Sequence, residues 1–134
     1  MSYARQMLSA THRGNSIGAD ALVGAIDALS DCSQECSADI STDLGDQNLA
    51  EMVTCIRLCL DCTDICDATI AILSRMTKPD RQVTGPLLES CIAICDRCGA
   101  ECERHAKMHE HCRVCGEACR RREQACKELL AAIR

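Results

Sequence analysis

Residues 55–66 read CIRLCLDCTDIC, and residues 91–102 read CIAICDRCGAEC. Both are C-x3-C-x2-C-x3-C runs, placing Cys55, Cys59, Cys62 and Cys66 in one set and Cys91, Cys95, Cys98 and Cys102 in the other. At about 100° per residue, steps of four, three and four stay within roughly 60° of one line along an α-helix. Each run is therefore a narrow stripe, the pattern of a seam at the centre of a helical bundle.

The intervening charges fix which way the stripes face. Arg57, Asp61 and Asp64 fall opposite the first stripe, and Asp96, Arg97, Glu103 and Arg104 opposite the second. Charged residues outward put the cysteines inward. A shorter stripe, Cys32 and Cys36, precedes these two, and Cys112, Cys115, Cys119 and Cys126 form a fourth. Four stripes facing one axis predict a tube lined by sulfur.

Punctuation sets the elements. A short helix is expected over Tyr3–Thr11, then bundle helices over Ala19–Asp43, Asn48–Arg75, Leu87–Glu110 and Cys112–Ile133. The chain's two prolines, Pro79 and Pro86, with Gly85, mark Thr77–Pro86 as a linker. Short connections join consecutive helices antiparallel. The expected fold is all-α: an up-down-up-down four-helix bundle over 18–134, preceded by an N-terminal segment, 1–17.

Composition narrows the function. The 134 residues include 14 Cys but no Phe, no Trp and one Tyr, so the side chains that usually fill a core are missing. Met1–Gly18 has no apolar run long enough for a signal peptide, and no stretch approaches the ~18 apolar residues of a membrane span. The expectation is a cytoplasmic chain with reduced thiols, where cysteines more often bind metal or catalyse. With a net charge of −5 and one short basic run, Arg120–Arg122, read as a solvated face, no nucleic-acid partner is expected. No nucleophile–base pair or phosphate-binding loop is visible, so no enzymatic activity is expected.

Three uses of so many cysteines compete. As small buried hydrophobes they would leave the core underfilled, at around 1 kcal/mol for each missing methyl group. As disulfides they would outnumber what two facing helices need, and neighbours on one stripe point in parallel. As thiolates they are soft ligands for Cu(I), Zn(II) or iron–sulfur clusters. Iron–sulfur clusters commonly draw on four cysteines held on loops, and structural zinc on isolated tetrahedral sites. A continuous ladder favours a metal that takes two or three sulfurs and shares them, with about one ion per cysteine. Spacing alone leaves zinc or cadmium sequestration, and a disulfide-stapled bundle, as alternatives.

The two ends of the tube differ. His105 and His109 extend the third helix's stripe, His111 follows in the turn, and Met52 lies at the same end. Imidazole and thioether both bind Cu(I), so this end is the expected mouth; taken alone, His111 reads as readily as a surface residue. Met108 points off the stripe, Glu123 occupies a stripe position between Cys119 and Cys126, and His12 is assigned no role. Cys55 and Cys91 are placed away from the histidines. Ala25, Leu29, Leu73, Leu87, Leu88, Leu129, Leu130 and Ile133 gather at the other end as an aliphatic plug.

With these motifs laid out, the chain resembles the cytosolic branch of the copper storage protein family. The likeness rests on the twin runs at Cys55–Cys66 and Cys91–Cys102, on His105, His109 and His111, and on C-x2-C-x3-C at Cys112–Cys119. It covers residues 18–134. The resemblance implies multiple Cu(I) ions held mainly between cysteine pairs, a His-lined entrance, a homotetramer, and copper in preference to zinc. A copper donor or chaperone is an expected partner. The chain departs from the richest members in having only Cys32 and Cys36 on its first bundle helix.

Overall fold

The computed structural model describes residues 2–10, 18–75 and 80–133, which form five helices and no strand. The helices are α1 (Tyr3–Ser9), α2 (Ala19–Leu44), α3 (Leu49–Ser74), α4 (Arg81–His105) and α5 (Glu110–Ile133). Four of them form the bundle: α2 packs on α3 and α5, and α4 packs on α3 and α5. α1 rests against α2, tied by a 2.9 Å ion pair between Arg5 and Asp20. His12 and the linker residues Thr77, Lys78 and Pro79 lie outside the described residues.

Local chemistry sets the helix starts. The Ser2 hydroxyl accepts from the Arg5 N–H at 3.2 Å, capping α1. Gly18 precedes α2 with φ of 88°, a left-handed backbone that a side chain would strain. Asp80 accepts from the Gln82 N–H at 3.0 Å and starts α4 at Arg81.

That last cap corrects the expected linker, because Pro86 lies inside α4. Proline removes one backbone donor and disfavours the helical region for the residue before it through that residue's Cβ. The preceding residue is Gly85, which has no Cβ, and the lost bond falls near the helix start. Burial of Thr84 and Leu88 holds these first turns to the bundle.

Each of the four bundle helices buries one seam with alternating steps of three and four. In α3 it runs Met52, Cys55, Cys59, Cys62, Cys66, Thr69, Leu73; in α4, Thr84, Leu88, Cys91, Cys95, Cys98, Cys102. In α2 it runs Leu22, Ala25, Leu29, Cys32, Cys36, Asp39, Asp43; in α5, Cys112, Cys115, Cys119, Arg122, Cys126, Leu129. A repeat averaging 3.5 residues keeps one seam facing its neighbours over the full length of each helix. Small residues bring α4 and α5 close: a Cβ on Gly99 would stand 3.3 Å from Cys119 Cβ.

Candidate metal centre

All fourteen cysteines are buried and free, in one tube along the bundle axis. Sulfurs from different helices approach closely. Cys36 and Cys62 are 3.4 Å apart, Cys59 and Cys98 3.6 Å, Cys36 and Cys115 3.7 Å, Cys32 and Cys119 3.7 Å, and Cys55 and Cys102 3.9 Å.

These contacts assemble into quartets whose donor atoms all lie within 4.8 Å of one another. Cys32, Cys36, Cys62 and Cys119 form one; Cys36, Cys98, Cys115 and Cys119 the next; Cys59, Cys98, Cys102 and Cys115 a third. Asp39, Cys55, Cys59 and Cys102 form a fourth. Each quartet shares two cysteines with the next. Sulfur separations alone do not choose the metal, because zinc–sulfur bonds of about 2.3 Å also suit tetrahedral edges of this size. The sharing sets aside isolated structural zinc sites, each of which owns its ligands, and points to clusters in which one thiolate bridges two ions, a mode open to Cu(I) and to clustered zinc alike.

Burial is the largest cause of the shift at two of the thiols. It pushes the Cys95 thiol upward as the largest cause, and does the same to Cys112, where the charge of Asp39 adds. The hydrogen bond with Cys102, then burial, carries Cys55 up to about 12. Without metal these thiols stay protonated at neutral pH, so a cation binding there displaces protons.

The mouth is more acidic than expected. α2 continues its seam past Cys36 with Asp39 and Asp43, both buried, where the spacing of α3 and α4 carries thiols. His111 Nε2 lies 2.9 Å from Asp43 Oδ1 and 3.8 Å from Asp39 Oδ1, and these three residues with Cys112 form a further donor set. Asp39 Oδ1 and Asp43 Oδ2 are buried with no hydrogen-bond partner among the described residues. His105 Nε2 sits 2.9 Å from the buried Glu101 Oε2, and His109 Nδ1 3.6 Å from Asp46 Oδ2. Ring centroids are 6.3 Å apart for His105–His109 and 5.3 Å for His109–His111. The histidines thus cluster at one end, and it is His111 that joins a donor set with a cysteine. Met52 is buried at this end, and Met108 is exposed.

Three placements differ from the sequence reading, those of Cys55, Arg122 and Glu123. Cys55 is a mouth residue, because α3 starts at that end and Cys55 Sγ lies 3.3 Å from Asp39 Oδ2; Cys91 is deep in the tube, 3.4 Å from Thr69 Oγ1. Arg122, expected on a solvated face, is completely buried. It occupies the seam position three residues after Cys119, donating from Nε to Cys95 Sγ and from Nη1 to Cys66 Sγ. Glu123 beside it turns outward to Arg120 and Lys127, at 2.9 and 3.0 Å. The far end is closed by Ala25, Leu29, Leu73, Leu88 and Leu129, with Leu130 buried and Leu87 and Ile133 half-buried around them.

Known proteins share this fold. The chain is similar to the copper storage protein Ccsp of Streptomyces lividans loaded with 10 copper equivalents, with 43% identity, a TM-score of 0.92, and coverage of 96% of this chain and 98% of that one. A structure of copper loading to a cytosolic copper storage protein from the same organism, with five coppers, is 49% identical, with a TM-score of 0.82 over 84% of this chain and 93% of that one. The cysteine-rich protein YhjQ of Bacillus subtilis (strain 168) is 30% identical over 106 residues, 79% of this chain and 93% of the relative. Residues 19–131 match the family pattern described as copper storage protein, and the chain belongs to that family.

Proposed function

We propose that this chain takes up and stores multiple Cu(I) ions on its cysteine thiolates, buffering or detoxifying copper in the cytosol. The observation that carries the reading is the run of quartets joined by shared cysteines. Soft thiolates that bridge neighbouring ions suit Cu(I), and a full tube holds on the order of one ion per cysteine. All fourteen cysteines serve as ligands, with Met52, His105, His109 and His111 passing ions in at the mouth from a copper donor or chaperone. No catalytic step is assigned.

Residues 18–134 act as the storage unit, and 1–17 as a separate N-terminal segment. The chain assembles as a homotetramer. Support for assembly comes from Leu49, Val53 and Leu60, exposed at 42%, 39% and 49% and spaced to share one outer face of α3.

Anaerobic titration of the reduced protein with Cu(I), against a Cu(I) chelator, tests the storage reading. Uptake on the order of 14 ions, undisturbed by excess Zn(II), is expected. Saturation at four or fewer, or displacement by zinc, contradicts it. Light scattering on the same sample tests the tetramer.

A further inference from the structure

Arg122 places a permanent positive charge inside a tube that takes up cations. Its side chain is completely buried, and it stands at the one seam position between Cys112 and Cys126 of α5 that is not a cysteine. Nε donates to Cys95 on the neighbouring α4 and Nη1 to Cys66 on α3 across the bundle, so the guanidinium spans the tube. Nη2 is buried with no hydrogen-bond partner among the described residues.

The cysteines divide at Arg122, with Cys66 and Cys95 beside it and Cys91 and Cys126 past it. The ten that enter donor sets of three or more lie from Arg122 toward the mouth, and Cys66, Cys91, Cys95 and Cys126 enter none. Beyond Arg122, Cys91 lies against Thr69, and the buried leucines close the end. An ion bound for Cys91 and Cys126 must therefore pass the guanidinium.

We propose that Arg122 is the inner stop of the copper ladder. It occupies the room between Cys66 and Cys95 that an ion would take, engages both sulfurs as hydrogen-bond acceptors, and makes the four inner cysteines the last to fill. An arginine keeps its charge at any physiological pH, so no proton loss opens the way. An ion that enters between Cys66 and Cys95 must first displace the guanidinium from both sulfurs, and giving up one hydrogen bond from a charged donor weakens binding by about tenfold. A lag of at least about tenfold in affinity follows.

This inference rests on the Cu(I) storage reading. The test loads reduced protein stepwise with Cu(I) under chelator competition, alkylates the unprotected thiols at each step and locates them by peptide mass spectrometry. In the wild-type chain Cys66, Cys91, Cys95 and Cys126 are expected to stay alkylatable until the other ten are protected. In Arg122→Leu, which has neither charge nor ligand, the four should fill with the rest, tightening by about tenfold or more; Arg122→Lys should keep the lag. Protection of all fourteen together in the wild-type chain overturns the proposal while leaving copper storage intact. So does a lag that persists in Arg122→Leu. A wild-type chain that takes up no Cu(I) overturns both. The wild-type map decides by itself if the leucine variant does not fold.

Discussion

Asp39 Oδ2 lies 3.3 Å from Cys55 Sγ, across the interface between α2 and α3, where the seam of α2 departs from the thiols of its neighbours. The contact puts a hard oxygen donor at the top of a soft sulfur ladder. It also gives the mouth a carboxyl that holds its proton: burial first, then the charges of Cys115, Cys55 and Asp43, raise Asp39 from 3.8 to about 8.

That proton links stability to pH. Between pH 3.8 and about 8 the folded chain retains it while the unfolded chain has lost it, so unfolding releases a proton and higher pH favours unfolding. The contribution of the neutral carboxyl is fully present below pH 3.8 and is lost as pH rises through about 8. The thermal midpoint of metal-free protein is expected to fall between pH 6 and pH 8, and Asp39→Asn to flatten that slope. Scanning calorimetry of the two proteins across the range checks it; parallel slopes contradict the assignment. The Cys55 thiol, pushed up to about 12, adds a fall of the same sign at higher pH in both.

Copper should stabilise the bundle strongly. Ions that bind only the folded arrangement contribute about 4 kcal/mol for a site at a thousandfold excess over its dissociation constant. At a few degrees per kcal/mol for a chain of this size, loaded protein is expected to melt at least about 10 °C above metal-free protein. Metal-free protein should remain helical, since Leu29, Leu73, Leu88 and Leu129 are buried without help from metal. Equal midpoints in the same buffer would count against a metal-filled core.

The histidines should govern entry more than capacity. His105, His109 and His111 lie together at the mouth, and only His111 shares a donor set with a cysteine. Changing His105 and His109 to Ala together, or His111→Ala alone, is expected to slow loading from a Cu(I) donor in stopped flow. Final stoichiometry should stay within about two ions of the wild-type value, because the sulfur ladder is untouched. Loading at the normal rate in both variants would return the histidines to the role of surface residues.

Much of this was legible in the spacing of cysteines. Steps of three and four fixed the helices, their inward faces and the tube, and the leucines marked the closed end. The same arithmetic reaches Asp39 and Asp43, seven residues beyond Cys32 and Cys36, and Arg122, three beyond Cys119. Those positions were obscured because charge normally signals solvent, and a buried ion is costly unless paired. Here Arg122 has sulfur partners and Asp43 has His111, partners on other helices that no single stretch of sequence displays. Pro86 misled in the opposite direction. Its power to break a helix is offset by Gly85 before it and by the cap at Asp80, so α4 starts earlier than the proline implied.

The central claim is that cysteines are shared between ions along one ladder, and X-ray absorption at the copper edge tests it most directly. Protein loaded with about half its Cu(I) capacity is expected to show each ion bound by two or three sulfurs, together with a metal–metal scattering shell from ions bridged by common thiolates. Four-coordinate ions with no metal–metal shell, at the same loading, would mean isolated sites and would contradict the account.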